Sequence, residues 1–303
     1  MTATLPQTKS PAEMAGFITA EIKAFVTNSP LNHMPTPGKD IIFDEPLVQF
    51  ADGDDPLFTE YKDIIATTHL TPREALARAG NKKPGELPRR ISVISWILPI
   101  TLNTRRSNRT QTRLPSRLWS HTRWFGEKLN EALRAHVVAL LAGRGYLAAA
   151  PGVPPLLKIE RNEKGMYSNW SERHIAYAAG QGTFSLSDGF ITGRGIAHRC
   201  GNVVTSLELP ASPRTAAGPF ANCLTYAGEK CGLCIERCPA GAISEKGHDK
   251  NKCHQHLRDL GYDPSQDYHI ETSVAGCGLC QTRVPCEAVN PTRKLKKASV
   301  AAT

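Results

Sequence analysis

The first 199 of the 303 residues contain no cysteine, and no run of about 18 apolar residues occurs anywhere in the chain. The two longest apolar stretches, 91–102 and 135–150, are too short or too interrupted for a membrane span, so none is expected. Residues 1–14 lack a basic region followed by an apolar core, and they lack a twin-arginine pair; no export signal is visible and a cytoplasmic address is expected. Aromatic residues are 7% of the chain and do not interleave with the basic ones into a recognisable binding module, so nucleic acid is not expected among the partners. With 40% hydrophobic and 21% charged residues a disordered chain is excluded, and the length suits two domains.

The charge is a formal +9. Part of it lies in the basic tail at 293–303, which reads as a solvated end. Part lies in Arg105, Arg106, Arg109, Arg113 and Arg117, a stretch suited to an acidic redox partner, a phosphate-bearing cofactor or nucleic acid.

All nine cysteines follow that empty stretch: Cys200, Cys223, Cys231, Cys234, Cys238, Cys253, Cys277, Cys280 and Cys286. A disulfide framework suits small secreted chains, whereas two C-x2-C pairs in a chain of this size favour metal. Cys231-Gly232-Leu233-Cys234-Ile235-Glu236-Arg237-Cys238-Pro239 matches the latter part of the bacterial ferredoxin pattern, in which the cysteine before proline ligates a second 4Fe-4S cluster. Cys223 stands eight positions before Cys231, where that pattern places its first cysteine three before, so the loop between them reads as an insertion. Cys277-Gly278-Leu279-Cys280 repeats the first C-G-L-C after 46 positions, with Cys286 following Pro285.

The crossing rule sorts Cys223, Cys231, Cys234 and Cys286 into one cluster and Cys238, Cys253, Cys277 and Cys280 into another. Cys200 is left over and reads as an ordinary buried thiol. Zinc also accepts four cysteines in C-x2-C pairs; the C-P-A-G-A-I continuation and the interleaved order point to iron.

Ahead of the cysteines, residues 1–85 read as a mainly helical extension. A helix is expected over 11–27, capped by Ser10 with Pro11 first and Glu13 closing a capping box; others are expected over 56–65 behind Asp55 and over 71–79 behind Thr71. Residues 91–100 read as an internal strand ended by Pro99. A long helix over 119–141, broken at Gly126 and stopped by Gly143 and Gly145, and a strand over 146–150 then complete an alpha/beta unit. A helix over 169–179 precedes a turn-rich loop over 184–189, a short strand at Phe190 and Ile191, and another over 203–209. Gly180-x-Gly182 lacks a third glycine and follows a helix, so no dinucleotide site is expected.

The run Glu172-Arg173-His174-Ile175-Ala176-Tyr177-Ala178-Ala179-Gly180-Gln181-Gly182, the later Arg199-Cys200-Gly201-Asn202, and the displaced double-cluster module resemble the epoxyqueuosine reductase and reductive dehalogenase superfamily. The resemblance implies an α+β chain: a nitroreductase-like, corrinoid-binding α/β domain at 86–220, a ferredoxin-like double 4Fe-4S module at 221–292, and the tail at 293–303. It implies a base-off cobalamin in a crevice, two 4Fe-4S clusters, an external ferredoxin or flavodoxin-type donor, and reductive cleavage of a small-molecule substrate. The alternative is a protein that delivers electrons to a partner enzyme without a corrinoid.

Epoxyqueuosine reductases place an aspartate proton donor six positions before the glutamate of this run; here Met166 stands there. Tyr167 is next to it and resembles the tyrosine donor of reductive dehalogenases, so it is the candidate catalytic residue. Arg173, Gly180, Gly182, Cys200 and Gly201 are the candidate cofactor-binding residues, the glycines because they let backbone approach a bulky ligand or turn at positive φ. Arg173 reads equally as a surface ion-pairing residue; His174 and His198 read as ordinary polar histidines, and Asp188 and Arg194 as pocket or turn residues. Lys246, His248 and Lys250 would make the surroundings of the clusters positive.

Overall fold

A computed structural model describes residues 9–35, 38–163, 165–259 and 276–293. The basic tail from Lys294 onward and most of residues 1–14, in which no export signal is expected, lie outside the described residues. Helix α1 (Pro11–Asn28) begins at a complete capping box: Ser10 Oγ accepts the Glu13 N–H, and the Glu13 carboxylate accepts the Ser10 N–H at 2.8 Å. Strand β1 (Leu47–Asp52) follows, then α2 (Leu57–Ile64), with the Asp55 carboxylate accepting the Leu57 N–H. Helix α3 (Pro72–Ala79) carries a second capping box, from Thr71 and Glu74.

Strand β2 (Ser92–Pro99) is buried along its whole length and pairs antiparallel with β1. Helices α4 (Leu102–Arg109) and α5 (Arg117–Ala142) lead to the short strand β3 (Ala148–Ala149). A hairpin of β4 (Ile159–Asn162) and β5 (Gly165–Ser168), helix α6 (Glu172–Ala178), a hairpin of β6 (Gly182–Phe184) and β7 (Phe190–Thr192), and strand β8 (His198–Thr205) complete this part. Strand order in the main sheet is β1-β2-β8-β3. Strands β2 and β3 both run antiparallel to β8, so they are parallel to each other with β8 between them. The alpha/beta unit read from the sequence is thus a split crossover.

The period of two along β2 explains its burial on both faces. Ile94, Trp96 and Leu98 meet Ile18 and Ile22 of α1 and Leu129, Leu133 and Val137 of α5; Ile91 and Val93 meet Leu76 of α3 and Ile175 of α6. Residues before position 86 therefore supply an edge strand and a helix to the same core as those after it. Two buried indoles find acceptors: Trp96 Nε1 donates to Asn130 at 2.9 Å and Trp170 Nε1 to Asn202 at 2.8 Å.

Several local expectations shift. Helix α5 runs unbroken through Gly126, where the missing Cβ makes room for the Phe43 ring; an added Cβ would lie 2.7 Å from Phe43 Cζ. The loop expected after Gly182 is the β6–β7 hairpin, since Asp188 adopts a left-handed conformation (φ 57°) and turns the chain back. The strand expected over 203–209 begins at His198 and ends at Thr205, and that expected over 146–150 narrows to two residues. Among the described residues no helix is long and apolar enough to cross a membrane.

Helix α7 (Leu233–Glu236), the strand pair β9 (Ile243–Ser244) and β10 (Gly247–His248), and α8 (Lys250–Asp259) carry the cysteine-rich part. Asn251 of α8 accepts from Arg161 at 3.0 Å and donates to the Glu163 carbonyl at 3.0 Å, seating α8 on the β4–β5 hairpin.

Two glycines give opposite expectations. Gly126→Leu should displace Phe43 and lower stability by about 1–3 kcal/mol, whereas Gly16→Ala, in α1 with open space around it, should raise it by about 0.5–1 kcal/mol; urea midpoints at unchanged slope read both. His69 has no solvent exposure, accepts the Ser171 N–H at Nε2, and is held neutral by burial, its pKa pushed down to about 4. The unfolded chain binds this proton first, so stability should fall as pH drops from about 6.5 toward 4; a His69→Gln variant with the same slope as wild type would contradict this.

Candidate functional site

The cysteines come from separate elements and gather in two places. Cys223, Cys231, Cys234 and Cys286 line one small cavity whose remaining wall includes Ile191, Leu224 and Val284. Burial first, then repulsion from Cys223 and Cys231, pushes the Cys234 thiol up to about 11, and the same neighbours together with Cys234 contribute to pushing Cys286 up to about 12. Cys238, Cys253, Cys277 and Cys280 form the second group: burial and the proximity of Cys253 and Cys238 raise Cys277 to about 11, and burial with all three partners raises Cys280 further. Cys280 also lies within reach of Cys234, so the two groups adjoin. All nine cysteines are free thiols.

Main-chain donors point at the sulfurs. Ala242 N–H donates to Cys238 Sγ at 3.3 Å, Ile235 N–H bonds Cys234, and Leu279 N–H bonds Cys277. The two C-G-L-C turns differ in backbone: Gly232 is extended (φ 173°), whereas Gly278 is left-handed (φ 62°) and lies flat on the indole of Trp119 from α5, 2.0 Å from where a Cβ would stand.

The core holds Cys286 in place. Ile196 N–H donates to the Cys286 carbonyl at 2.8 Å, and the buried Glu287 carboxylate takes Arg105 at 3.1 Å, Arg109 at 2.6 Å and the Arg283 N–H at 2.8 Å. Arg105 and Arg109, read from the sequence as facing a partner, are thus engaged inside the protein.

Among the described residues no three His, Cys, Asp or Glu side chains converge on a single metal ion. In a 4Fe-4S cubane each thiolate binds a different iron, so its four ligands stand farther apart than those of one ion. Two groups of four reduced thiols, crowded enough to raise one another's pKa values and met by main-chain N–H donors, fit such a group chemically.

A cleft of about 540 Å³ opens beside the second group, between Gln281 on one side and Arg173, His198, Arg199 and Cys200 on the other. An adjoining cleft shares Ser168, Ser171 and Arg173 with it and is lined by Met166, Tyr167 and Cys253. Arg173 Nη1 donates to the Asp188 carbonyl, and the Asp188 carboxylate meets His248 Nδ1 at 3.2 Å; His248 in turn bonds the Cys253 thiol. His198 Nε2 lies 2.7 Å from the Phe190 carbonyl, and burial lowers its pKa to about 4. The neutral ring therefore donates from Nε2 and turns its Nδ1 lone pair to Cys200, whose thiol burial pushes up to about 12.

The candidate residues do not all share this crevice. Arg173 and Cys200 line the first cleft, while Gly180 and Gly182 line a separate cleft on the far side of α6. Gly180 (φ 77°) lets the Pro213 carbonyl approach, and Gly182 faces the Ile191 carbonyl across the hairpin. Gly201 is shut off from any ligand, because Trp96 and Asn130 fill the space beside it. Arg194 pairs with Asp44 at 3.1 Å. Tyr167 hydrogen bonds the Glu160 carboxylate, which raises its pKa; Met166 beside it is 42% exposed.

Sequence reading missed the charged floor of the crevice. Arg134, buried in α5, bonds Glu127 at 2.9 Å and Glu172 at 2.6 Å, and Glu127 also takes Arg199. Burial outweighs Arg134 and leaves the Glu172 carboxyl above its ordinary pKa. The available signal was Arg134 on the apolar face of α5, between Leu133 and Val137.

No protein-family model matches the chain, and no curated protein matches it. Its fold is similar to that of a solved epoxyqueuosine reductase in complex with an epoxyqueuosine-modified tRNA-Tyr stem loop, at a TM-score of 0.50 and 15% identity over 92% of this chain. A selenomethionine-labelled epoxyqueuosine reductase aligns at a TM-score of 0.47 and 15% identity, with the same 92% of this chain covered. The chain spans 66% of the length of each. At this identity the likeness is one of fold, a mixed helix-and-sheet architecture. The first of these structures holds a tRNA stem loop, which corrects the expectation that nucleic acid is not among the partners: a protein of this fold binds one.

Proposed function

We propose that this chain is an iron–sulfur oxidoreductase that passes single electrons through two 4Fe-4S clusters to an acceptor in the adjoining crevice. The observation that carries this reading is the gathering of eight thiols into two neighbouring groups of four, the second opening through Cys253 onto the cleft that adjoins the crevice and shares Arg173 with it. Cys223, Cys231, Cys234 and Cys286 would hold the first cluster and Cys238, Cys253, Cys277 and Cys280 the second. A base-off corrinoid is the acceptor that the sequence resemblance implies, with Arg173 and Cys200 on the wall that would meet it. When bound, the clusters supply one-electron transfer and the corrinoid supplies reductive cleavage.

The chain's own part is positioning and proton control. Arg173 and Asp188 tie the crevice wall to the Cys253 segment through His248. The Glu172–Arg134–Glu127–Arg199 network keeps the Glu127 carboxylate compensated by two arginines at the crevice floor. Tyr167 is the candidate proton donor, its phenolic proton held toward Glu160. That same bond, with methionine at position 166, favours the second reading, in which the chain delivers electrons to a partner enzyme and holds no corrinoid.

Anaerobically prepared protein should contain about eight iron and eight sulfide per chain, and one cobalt when cobalamin is supplied. Iron without cobalt selects the electron-delivery reading, and zinc in place of iron removes both. Cys286→Ala and Cys253→Ala should each retain about half the iron, with different clusters lost in the two reduced spectra; loss of the same signal from both would contradict the grouping.

A nucleic acid is the substrate class suggested by the solved complex and by the net charge of +9, with Arg106, Arg113 and Arg117 exposed. A tRNA stem loop should bind with an affinity that falls steeply as salt rises from about 50 to 200 mM. Absence of binding at the low-salt end would remove this substrate class.

A further inference from the structure

Arg237 lies between Cys234 and Cys238, at the seam between the two groups of thiols. Its guanidinium is held from three sides. Nε donates to the Thr282 carbonyl at 3.1 Å and the Leu279 carbonyl at 3.3 Å, Nη1 to the Gln111 carbonyl at 2.7 Å, and Nη2 to the Asn108 carbonyl at 3.3 Å. These acceptors belong to the second C-G-L-C turn and to the end of α4, so one side chain joins the two halves of the cysteine-rich part to the core.

All four acceptors are neutral. Carbonyl dipoles orient a guanidinium and satisfy its donors, and they leave its unit charge in place. The other charged or thiol groups facing it are Cys277, Cys280, Arg283 and Glu287. Glu287 is already bonded to Arg105 and Arg109, so it offers little compensation. Arginine stays protonated at every accessible pH. A fixed positive charge therefore stands beside two thiols of the second group, Cys277 and Cys280.

We propose that Arg237 raises the reduction potential of the second cluster, so that an electron entering the pair settles at the end next to the crevice. This rests on the cluster reading above. Reduction adds one negative charge to a cluster already bound by four thiolates, and a neighbouring cation stabilises that added charge. The thiols that face the cation, Cys277 and Cys280, both belong to the second group, so the first group feels it less.

Anaerobic redox titration followed by electron paramagnetic resonance, with iron and sulfide counted on every sample, tests this. Arg237→Gln should lower the equilibrium for reducing the second cluster about tenfold, which is about 59 mV for a one-electron couple, and move the first much less. Arg237→Lys, which keeps the charge and loses the fork of donors, should retain most of the wild-type potential. Arg237→Met, a second neutral replacement of similar reach, should move the second potential down like Arg237→Gln, even if the latter does not fold.

Full iron content with an unmoved second potential in either neutral variant, Arg237→Gln or Arg237→Met, would overturn the inference alone. So would a fall in Arg237→Lys as large as in Arg237→Gln, since geometry rather than charge would then be responsible. Wild-type protein without iron would overturn the cluster reading, and this inference with it.

Discussion

Eight thiols crowded into two adjoining groups repel one another as soon as they ionise, and burial makes the ionised form costlier still. Cys286 and Cys280 show both effects, each raised by its own burial and by the sulfurs of its group. A chain that leaves these groups reduced, unpaired and supplied with main-chain N–H donors has built a place for something that takes up the negative charge. Iron coordinated by thiolate does so, because the bond replaces the proton and spreads the charge over the cluster.

Much of the remaining structure serves to hold those sulfurs. Helix α5 provides the Trp119 surface against which the second C-G-L-C turn lies, and α4 grips Glu287, the residue after Cys286, with two arginines. The β7–β8 connection adds the Ile196 bond to the Cys286 carbonyl, and the β4–β5 hairpin carries α8 and with it Cys253. Buried charge in this chain is therefore concentrated at two joints: Glu287 with Arg105 and Arg109 at the first group, and Arg134 with Glu127 and Glu172 under the crevice. Breaking either would strand a buried charge, a far larger penalty than losing an exposed pair.

Local chemistry was legible in the sequence wherever a signal is local. The capping box at Ser10, the N-cap at Thr71 and the buried strand β2 depend on residues within a few positions of one another. The spacing of the cysteines is likewise local. Contacts made across the chain were hidden. Gly126 resembled a helix breaker until Phe43, 83 positions earlier, was seen to occupy the space beside it. Gly201 resembled a ligand contact until Trp96 and Asn130 filled its side. Strand β1 was obscured by Pro46 and Asp52-Gly53 at its ends, and α4 by a lack of apolar residues, since Arg105 and Arg109 face a carboxylate that follows them by about 180 residues. The crevice was the least legible part, because a cleft is made by surfaces from several elements and no one of them carries its pattern.

The central claim is that the two groups of thiols bind iron as two cubanes. Mössbauer spectroscopy of protein produced anaerobically on iron-57 tests it most directly. The account predicts that all of the bound iron appears as sulfur-coordinated, valence-averaged 4Fe-4S centres, in two environments of equal area. A chain free of iron whose cysteine sulfurs bind zinc, or iron present only as isolated four-sulfur sites, would contradict it.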